Sequence, residues 1–392
     1  MLDRQVERFS DREALVHNET GARYTYTEFR NEVERVARGL MALGVQRGHH
    51  VGIWATNYTE WVLTQFATAK IGSVMVNVNP AYRTHELAYL LEQSEANALI
   101  LIGRFRNSDY AAMLNEVVPD LKDSNPGELS NSRFPYLRDV VYIPPFGDSG
   151  MWSWAEMVGR HTEVSPEQLA ARQAECQPDD PVNIQYTSGT TGNPKGAMLT
   201  HHNLVSNAVF VGDCIELTEH DRLCIPVPFY HCFGCVMGNL GCITHGSAII
   251  IPAEHFDPLK TLQALDRERC TALYGVPTMF IAQLDHPQFD SFDVSSLRTG
   301  IMAGSPCPIE VMRQVIDRMG AHQMTIAYGQ TAATLHTAHH TPDPSPNYRA
   351  HSERSSAGVL TARQVLPGTN LEVNPGVQGE LQARSSMVMR SY

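Results

Sequence analysis

Tyr186-Thr187-Ser188-Gly189-Thr190-Thr191-Gly192-Asn193-Pro194-Lys195-Gly196 is the stretch from which the rest of the chain is read. Its three glycines let the backbone bend and bring N–H groups close to a ligand. Thr187, Ser188, Thr190 and Thr191 add hydroxyls, and Lys195 adds a charge suited to a polyphosphate. Successive N–H groups in such a turn form an anion-binding concavity. Val182 to Tyr186 reads as a strand before it, and His202 to Ala208 as the start of a helix after it. The stretch differs from the Walker loop, which has four residues between its glycines and Ser or Thr after its Lys. Here only Thr190 and Thr191 stand between Gly189 and Gly192, and Gly196 follows Lys195. A plain flexible loop is the bland alternative. Glycines, hydroxyls and a lysine gathered between a strand and a helix weigh against it.

Outward from this loop, strand-like and helix-like stretches alternate. Val51 to Ala55, Ser73 to Val78 and Ala98 to Ile102 read as strands, with helices from Glu28 to Leu43, Glu60 to Ile71 and Glu86 to Glu95 between them. Thr27 and Thr84 are the expected caps. Beyond residue 208 the alternation resumes with strand candidates Leu223–Val227, Ala248–Ile251, Ala272–Tyr274, Arg298–Met302 and Met324–Ala327. The helix Pro308–Met319 carries one apolar face, with Pro308 suited to its first turn. This alternation implies parallel sheets covered by helices. After about residue 341 the texture becomes β-rich.

The 392 residues suffice for more than one core-forming unit, and 43% of them are apolar, which excludes disorder as the default. Thirty basic against 42 acidic residues give a formal charge of −12 with no basic tract, so nucleic acid is a poor partner. The first residues lack the apolar core of a signal peptide, and no apolar run approaches the length of a membrane span. Eight cysteines in so long a chain do not make a dense disulfide framework, and a cytoplasmic location is expected. His231-Cys232-Phe233-Gly234-Cys235, with Cys242 and His245 downstream, admits a zinc or redox reading. Small buried residues on a helix are the expected reading, and zinc is expected to be absent.

Three further clusters stand out: Pro228-Phe229-Tyr230-His231, Thr299-Gly300-Ile301-Met302-Ala303-Gly304-Ser305-Pro306 and Ala327-Tyr328-Gly329-Gln330-Thr331-Ala332. Together with the loop at 186–196 they resemble the signatures of the adenylate-forming superfamily of AMP-binding enzymes, in its acyl-CoA synthetase or fatty-acid–CoA ligase branch. The resemblance covers nearly the whole chain and weakens after residue 331. It implies an α/β fold of two packed parallel-sheet subdomains, layered αβαβα, plus a small distorted β-barrel. The approximate division is 1–60 with 208–340, then 61–207, then 341–392.

The same resemblance implies ATP-dependent activation of a carboxylic acid, medium- or long-chain, to an acyl-adenylate and then to a coenzyme A thioester. ATP, Mg²⁺ and coenzyme A are the implied cofactors. Thr187, Ser188, Gly189, Thr190, Thr191, Gly192 and Lys195 would hold the leaving phosphates, with Lys195, His231 and Thr331 as catalytic residues. Gly304, Ser305, Tyr328, Gly329, Gln330 and Thr331 would hold the nucleotide. Phe229, His231, Met302, Ala303, Gly304 and Gly329 would surround the acyl group, with the cysteines of the His231 segment in its wall. Thr187 would touch Mg²⁺, but the Glu usual after Thr331 is Ala332, whose methyl cannot bind a hard cation. Relatives continue to a ribose-gripping Asp, a hinge and a small domain with a catalytic Lys. The chain therefore resembles their large N-terminal domain, for which weak or no turnover is expected. A carrier-protein acceptor, a binding protein without turnover, and a homodimer remain open.

Overall fold

The computed structural model describes the chain except residues 146–148, 188–192, 328, 330–336, 340–359, 366–379, 386–388, 390 and 392. For 337–339, 360–365 and 380–385 it describes the backbone alone. Two sheets dominate. The first has eight strands in the order Thr337–His339, Gln323–Ala327, Thr299–Ala303, Ala272–Gly275, Arg222–Cys224, Ala248–Ile251, Glu13–His17 and Arg23–Thr25. Its six central strands run parallel, and the two edge strands are antiparallel to their neighbours. The second has seven, in the order Lys195–Thr200, Pro181–Thr187, Val74–Asn77, His50–Trp54, Ala98–Ile102, Asp139–Ile143 and Trp152–Ser153. Only the Lys195–Thr200 edge is antiparallel.

The parallel strands are apolar runs buried on both faces, as Ala98–Ile102 and Ala248–Ile251 show, because helices cover both sides. One apolar core fills the space between the sheets, with Trp54 stacked on Tyr110 at 4.0 Å between ring centres. A second core lies on the outer face of the eight-stranded sheet, under the helices Pro258–Arg267, Pro277–Leu284 and Ile309–Met319. This is the α/β layering expected of the sequence.

Several local expectations change. The strand His50–Trp54 joins the seven-stranded sheet, so the division inside 1–60 falls earlier than expected. It pairs in parallel with Val74–Asn77 along one edge and with Ala98–Ile102 along the other. The first long helix starts at Tyr26, and its cap is Thr25 rather than Thr27. Thr25 and Glu28 form a capping box, with the Glu28 N–H donating to Thr25 Oγ1 at 3.2 Å and the Thr25 N–H to Glu28 Oε2 at 2.8 Å. Arg83, not Thr84, holds the N-cap position of the helix Thr84–Ser94. Within 341–392, the described strands Leu360–Val365 and Glu380–Ser385 pair antiparallel, and Ser391 bridges to Met198 on the edge strand.

Candidate active site

Open parallel sheets bind ligands at the carboxyl ends of their strands, and the described residues Thr187, Gly304 and Ser305 lie at such ends. Thr187 ends the strand Pro181–Thr187 and pairs with Lys195. A second strand, Lys195–Thr200, therefore precedes the expected helix, which runs His201–Cys214 behind a Thr200 cap. The segment thus lies between two paired strands rather than between a strand and a helix. Ser188, Gly189, Thr190, Thr191 and Gly192 lie outside the described residues. Lys195 is exposed at the mouth of the hairpin. A Cβ on Gly196 would sit 2.9 Å from Ile184 Cγ2 and 3.3 Å from the Tyr186 ring, so the hairpin needs a glycine there.

Gly304 and Ser305 follow the strand Thr299–Ala303, which pairs in parallel with Gln323–Ala327, two residues before Gly329. Gly304 has φ +88°, the left-handed region that favours glycine. Tyr328, Gln330, Thr331 and Ala332 lie outside the described residues. Ala303 belongs to the core that faces the other sheet. Met302 does not share that face. Strand alternation turns it into the outer core with Phe280 and Met312, away from the acyl position expected of it.

Two asparagines tie the sheets together at this end. The Phe229 N–H donates to Asn57 Oδ1 at 2.9 Å, and Asn57 Nδ2 donates to the Val227 carbonyl at 2.9 Å. Asn77, paired with Gln185 two residues before Thr187, donates from Nδ2 to the Tyr230 carbonyl at 3.1 Å. The His231 segment of one sheet is thereby fixed beside the strand that ends at Thr187 in the other. Phe229 itself is fully buried against Trp61, with ring centres 5.6 Å apart, and serves the core rather than a cavity wall.

His231 is exposed. Its Nδ1 accepts the Phe233 N–H at 3.1 Å, with Cys232 Sγ 3.6 Å away. The Cys232 sulfur raises the imidazole pKa above its ordinary value. The N–H at Nδ1 acts against protonation at that nitrogen, leaving Nε2 as the ring atom free of that contact. The cysteines have packing roles. Cys235 Sγ accepts from Gln185 Nε2 at 3.4 Å, and Cys242 Sγ lies 3.7 Å from the Ala248 carbonyl. Burial pushes the Cys235 thiol up and the Cys242 thiol to about 12, against the thiolate that a metal or redox role needs. Among the described residues no three His, Cys, Asp or Glu side chains cluster as a metal site. The only described oxygen ligand expected for Mg²⁺ is Thr187 Oγ1, which lies 3.5 Å from the Lys195 carbonyl. One hydroxyl does not make a site for a cation that wants several oxygens.

A cavity of about 440 Å³ opens between the carboxyl ends of the two sheets. Pro226, Pro228 and Tyr230 form one wall, Asn79, Pro80 and Arg83 another, and Phe105, Arg106, Glu254 and His255 the rim. Sequence reading missed most of these residues, because they come from segments after four different strands of two sheets. The signal it could have used is Arg106-Asn107, the two-residue tip of a hairpin with Phe105 paired to Ser108. Arg106 holds φ +52°, a strained conformation of the kind that gathers at functional sites. Its guanidinium lies 5.1 Å from the Phe105 ring centre, and Phe105 meets the His255 ring edge-on at 5.3 Å.

A family model described as AMP-binding enzyme matches residues 2–392, and the chain belongs to that family. It is 46% identical over 392 residues to the Bacillus subtilis (strain 168) protein named "Putative acyl-CoA synthetase YngI", covering all of this chain and 71% of that protein. It is 40% identical to the mitochondrial medium-chain acyl-CoA ligase ACSF2 of Danio rerio, covering all of this chain and 65% of the relative. Among solved structures, the anthranilate CoA ligase AuaEII in complex with anthranoyl-AMP superposes with a TM-score of 0.82 at 22% identity, over 99% of this chain and 69% of that one. That likeness shows the fold. The chain thus spans about two thirds of the length of these relatives.

Proposed function

We propose that this chain binds ATP and a carboxylic acid and joins them as an acyl-adenylate destined for a coenzyme A thioester. In the first step a carboxylate oxygen attacks the α-phosphorus, and the bond to the departing pyrophosphate breaks. In the second a thiolate attacks the acyl carbon, and AMP leaves with the electron pair of the broken mixed-anhydride bond. The first step needs in-line positioning and neutralised phosphate charge more than covalent help. Lys195 at the hairpin mouth supplies that charge, and the His231 segment meets the acid. A fatty acid of medium or longer chain is the substrate class, in keeping with relatives named as medium-chain ligases.

The observation that carries the reading is the cavity between the sheets. It joins the His231 segment, through Pro228 and Tyr230, to Arg83, Arg106, Phe105 and His255. Two cations and two rings suit an acceptor that ends in a phosphorylated nucleotide. This favours coenzyme A over a carrier protein, whose phosphopantetheine arm has no adenine.

A pyrophosphate-release screen over carboxylic acids tests the first step, with acyl-CoA followed by mass spectrometry for the second. Lys195→Ala should lower pyrophosphate release. Arg83→Ala with Arg106→Ala should weaken coenzyme A binding about tenfold, more so at low salt, and spare pyrophosphate release. Release that no acid stimulates, at any concentration, would refute acid activation. Coenzyme A binding indifferent to both arginines would refute the acceptor reading.

A further inference from the structure

The cavity between the carboxyl ends of the sheets is lined by one carboxylate as well as two guanidiniums. Glu254 shares it with Arg83 and Arg106. Among the described residues its only ion-pair neighbour is His255, and neither arginine reaches it. Opposite charges are therefore kept apart across one cavity. A carboxylate repels phosphate, so in a site for a polyanion it opposes binding unless a donor on the ligand meets it. The acceptor reading explains the arginines and leaves Glu254 without a role.

Glu254 is held in place. Its N–H donates to Glu19 Oε2 at 3.3 Å, and its carbonyl accepts from the Asn57 N–H at 2.8 Å. The Tyr58 hydroxyl donates to Glu254 Oε2 at 2.8 Å. Burial, and then the Glu254 carboxylate, push the Tyr58 phenol well above its ordinary pKa, so it keeps its proton and stays a donor. Lys260 pairs with Glu19 instead. Glu254 Oε1 has His255 Nδ1 at 3.5 Å, and that nitrogen makes no hydrogen bond. One carboxylate oxygen is thus fixed, and the other, which is not buried, is left to accept. His255 meets the Phe105 ring edge-on at 5.3 Å, and the Arg106 guanidinium lies 5.1 Å from the centre of that ring. The free oxygen, the two rings that suit a flat base and a cation that suits phosphate are gathered at one rim.

We propose that Glu254 selects the base of the nucleotide-ended acceptor, its Oε1 accepting from the exocyclic amine of adenine. The inference rests on the reading of this cavity as the coenzyme A site. Guanine and hypoxanthine carry a carbonyl oxygen where adenine carries that amine. Such an oxygen sets two acceptors face to face with no proton between them, and the attraction becomes a repulsion. The arginines supply affinity for phosphate and do not distinguish one base from another. Glu254 is then a specificity residue, with no part in the bonds that form and break.

Calorimetry on the intact chain tests this with coenzyme A and deaminated coenzyme A, in which hypoxanthine replaces adenine. Coenzyme A should bind about tenfold tighter, as a hydrogen bond to a charged group is worth. Glu254→Gln, whose amide presents either a donor or an acceptor, should bring the two affinities within about twofold. Arg83→Ala with Arg106→Ala should weaken both ligands alike and keep their ratio. ATP against ITP separates the other adenine. Their ratio should be the same in wild type and Glu254→Gln, because Gly304, where the nucleotide of ATP is expected, does not line this cavity. Melting curves check the fold of each variant, and the wild-type comparison needs none. Equal binding of the two coenzyme A forms by wild type overturns the proposal and leaves the acceptor reading standing. So does a preference that survives Glu254→Gln. A change in the ATP-to-ITP ratio alone gives the carboxylate to the other nucleotide and overturns it too. Failure of coenzyme A to bind at all strikes the acceptor reading, and this inference with it.

Discussion

The amino and carboxyl ends of the eight-stranded sheet treat charge in opposite ways. At the amino ends each buried charge meets its counterion. Asp221, 3% exposed, accepts from Arg298 Nη2 at 2.7 Å and Nε at 3.1 Å, and from Thr271 Oγ1 at 2.6 Å. Glu268 takes Arg222 at 2.7 Å and Arg23 at 2.9 Å. At the carboxyl ends the sheet borders a cavity whose opposite side holds Arg83 and Arg106, from segments that follow strands of the seven-stranded sheet, and among the described residues neither has a carboxylate within ion-pair distance. The first arrangement closes strand ends that nothing else will cover. The second keeps positive charge available in a chain whose net charge is −12. Charge satisfied inside the protein stabilises it, and charge held back for a ligand does not.

Substitutions can break this contrast at either end. The largest effect is expected for Arg298→Ala, which leaves the Asp221 carboxylate buried without its bidentate partner. About 3 kcal/mol of stability should be lost, read by denaturant unfolding, with ATP affinity intact. Burial by itself would raise the Asp221 pKa, but Arg298, Thr271 and the Thr218 N–H outweigh it and leave it lowered. A group whose folded pKa is depressed stabilises above its unfolded value and loses that contribution as pH falls through the folded one. The gap between wild type and Arg298→Ala should therefore be widest near neutrality and narrow on acidification below the usual carboxylate range. A gap that widens in acid would contradict the pairing.

Lys195→Ala probes the opposite end. ATP binding should weaken by about 1.5–3 kcal/mol in calorimetry, since a charge-assisted contact is lost, while the melting temperature stays put. A variant that loses stability instead would place Lys195 among the structural charges. Gly196→Ala should show both symptoms at smaller size. Its Cβ would crowd Ile184, costing about 1 kcal/mol of stability, and the displaced hairpin would present Lys195 less well. Thr200→Ala, at the far end of the same hairpin, removes one side of the box with Asn203, whose N–H donates to Thr200 Oγ1 at 3.1 Å. About 1 kcal/mol of stability should go, with ATP affinity unchanged. Equal ATP losses in Gly196→Ala and Thr200→Ala would show that the two ends of the hairpin are not separable.

The α/β class and the strand-and-helix alternation are legible in the sequence, because each is written in local runs. Ala248–Ile251 is apolar enough to be buried on both faces wherever it lands, and Lys195 beside glycines and hydroxyls suits phosphate in any setting. It misjudged Met302, since a strand's two faces differ by one residue and only the packed sheet says which faces the other sheet. It also missed the strand Lys195–Thr200, a short edge piece whose partner lies across the loop. Tertiary structure alone decided the cavity. Arg83, Arg106, Tyr230 and His255 are scattered over more than 170 positions and share no local pattern. They meet because parallel strands all release their chains at one end, and Asn57 and Asn77 clamp the two sheets there. Local sequence sets what each segment is, and the direction in which strands pair sets which segments meet.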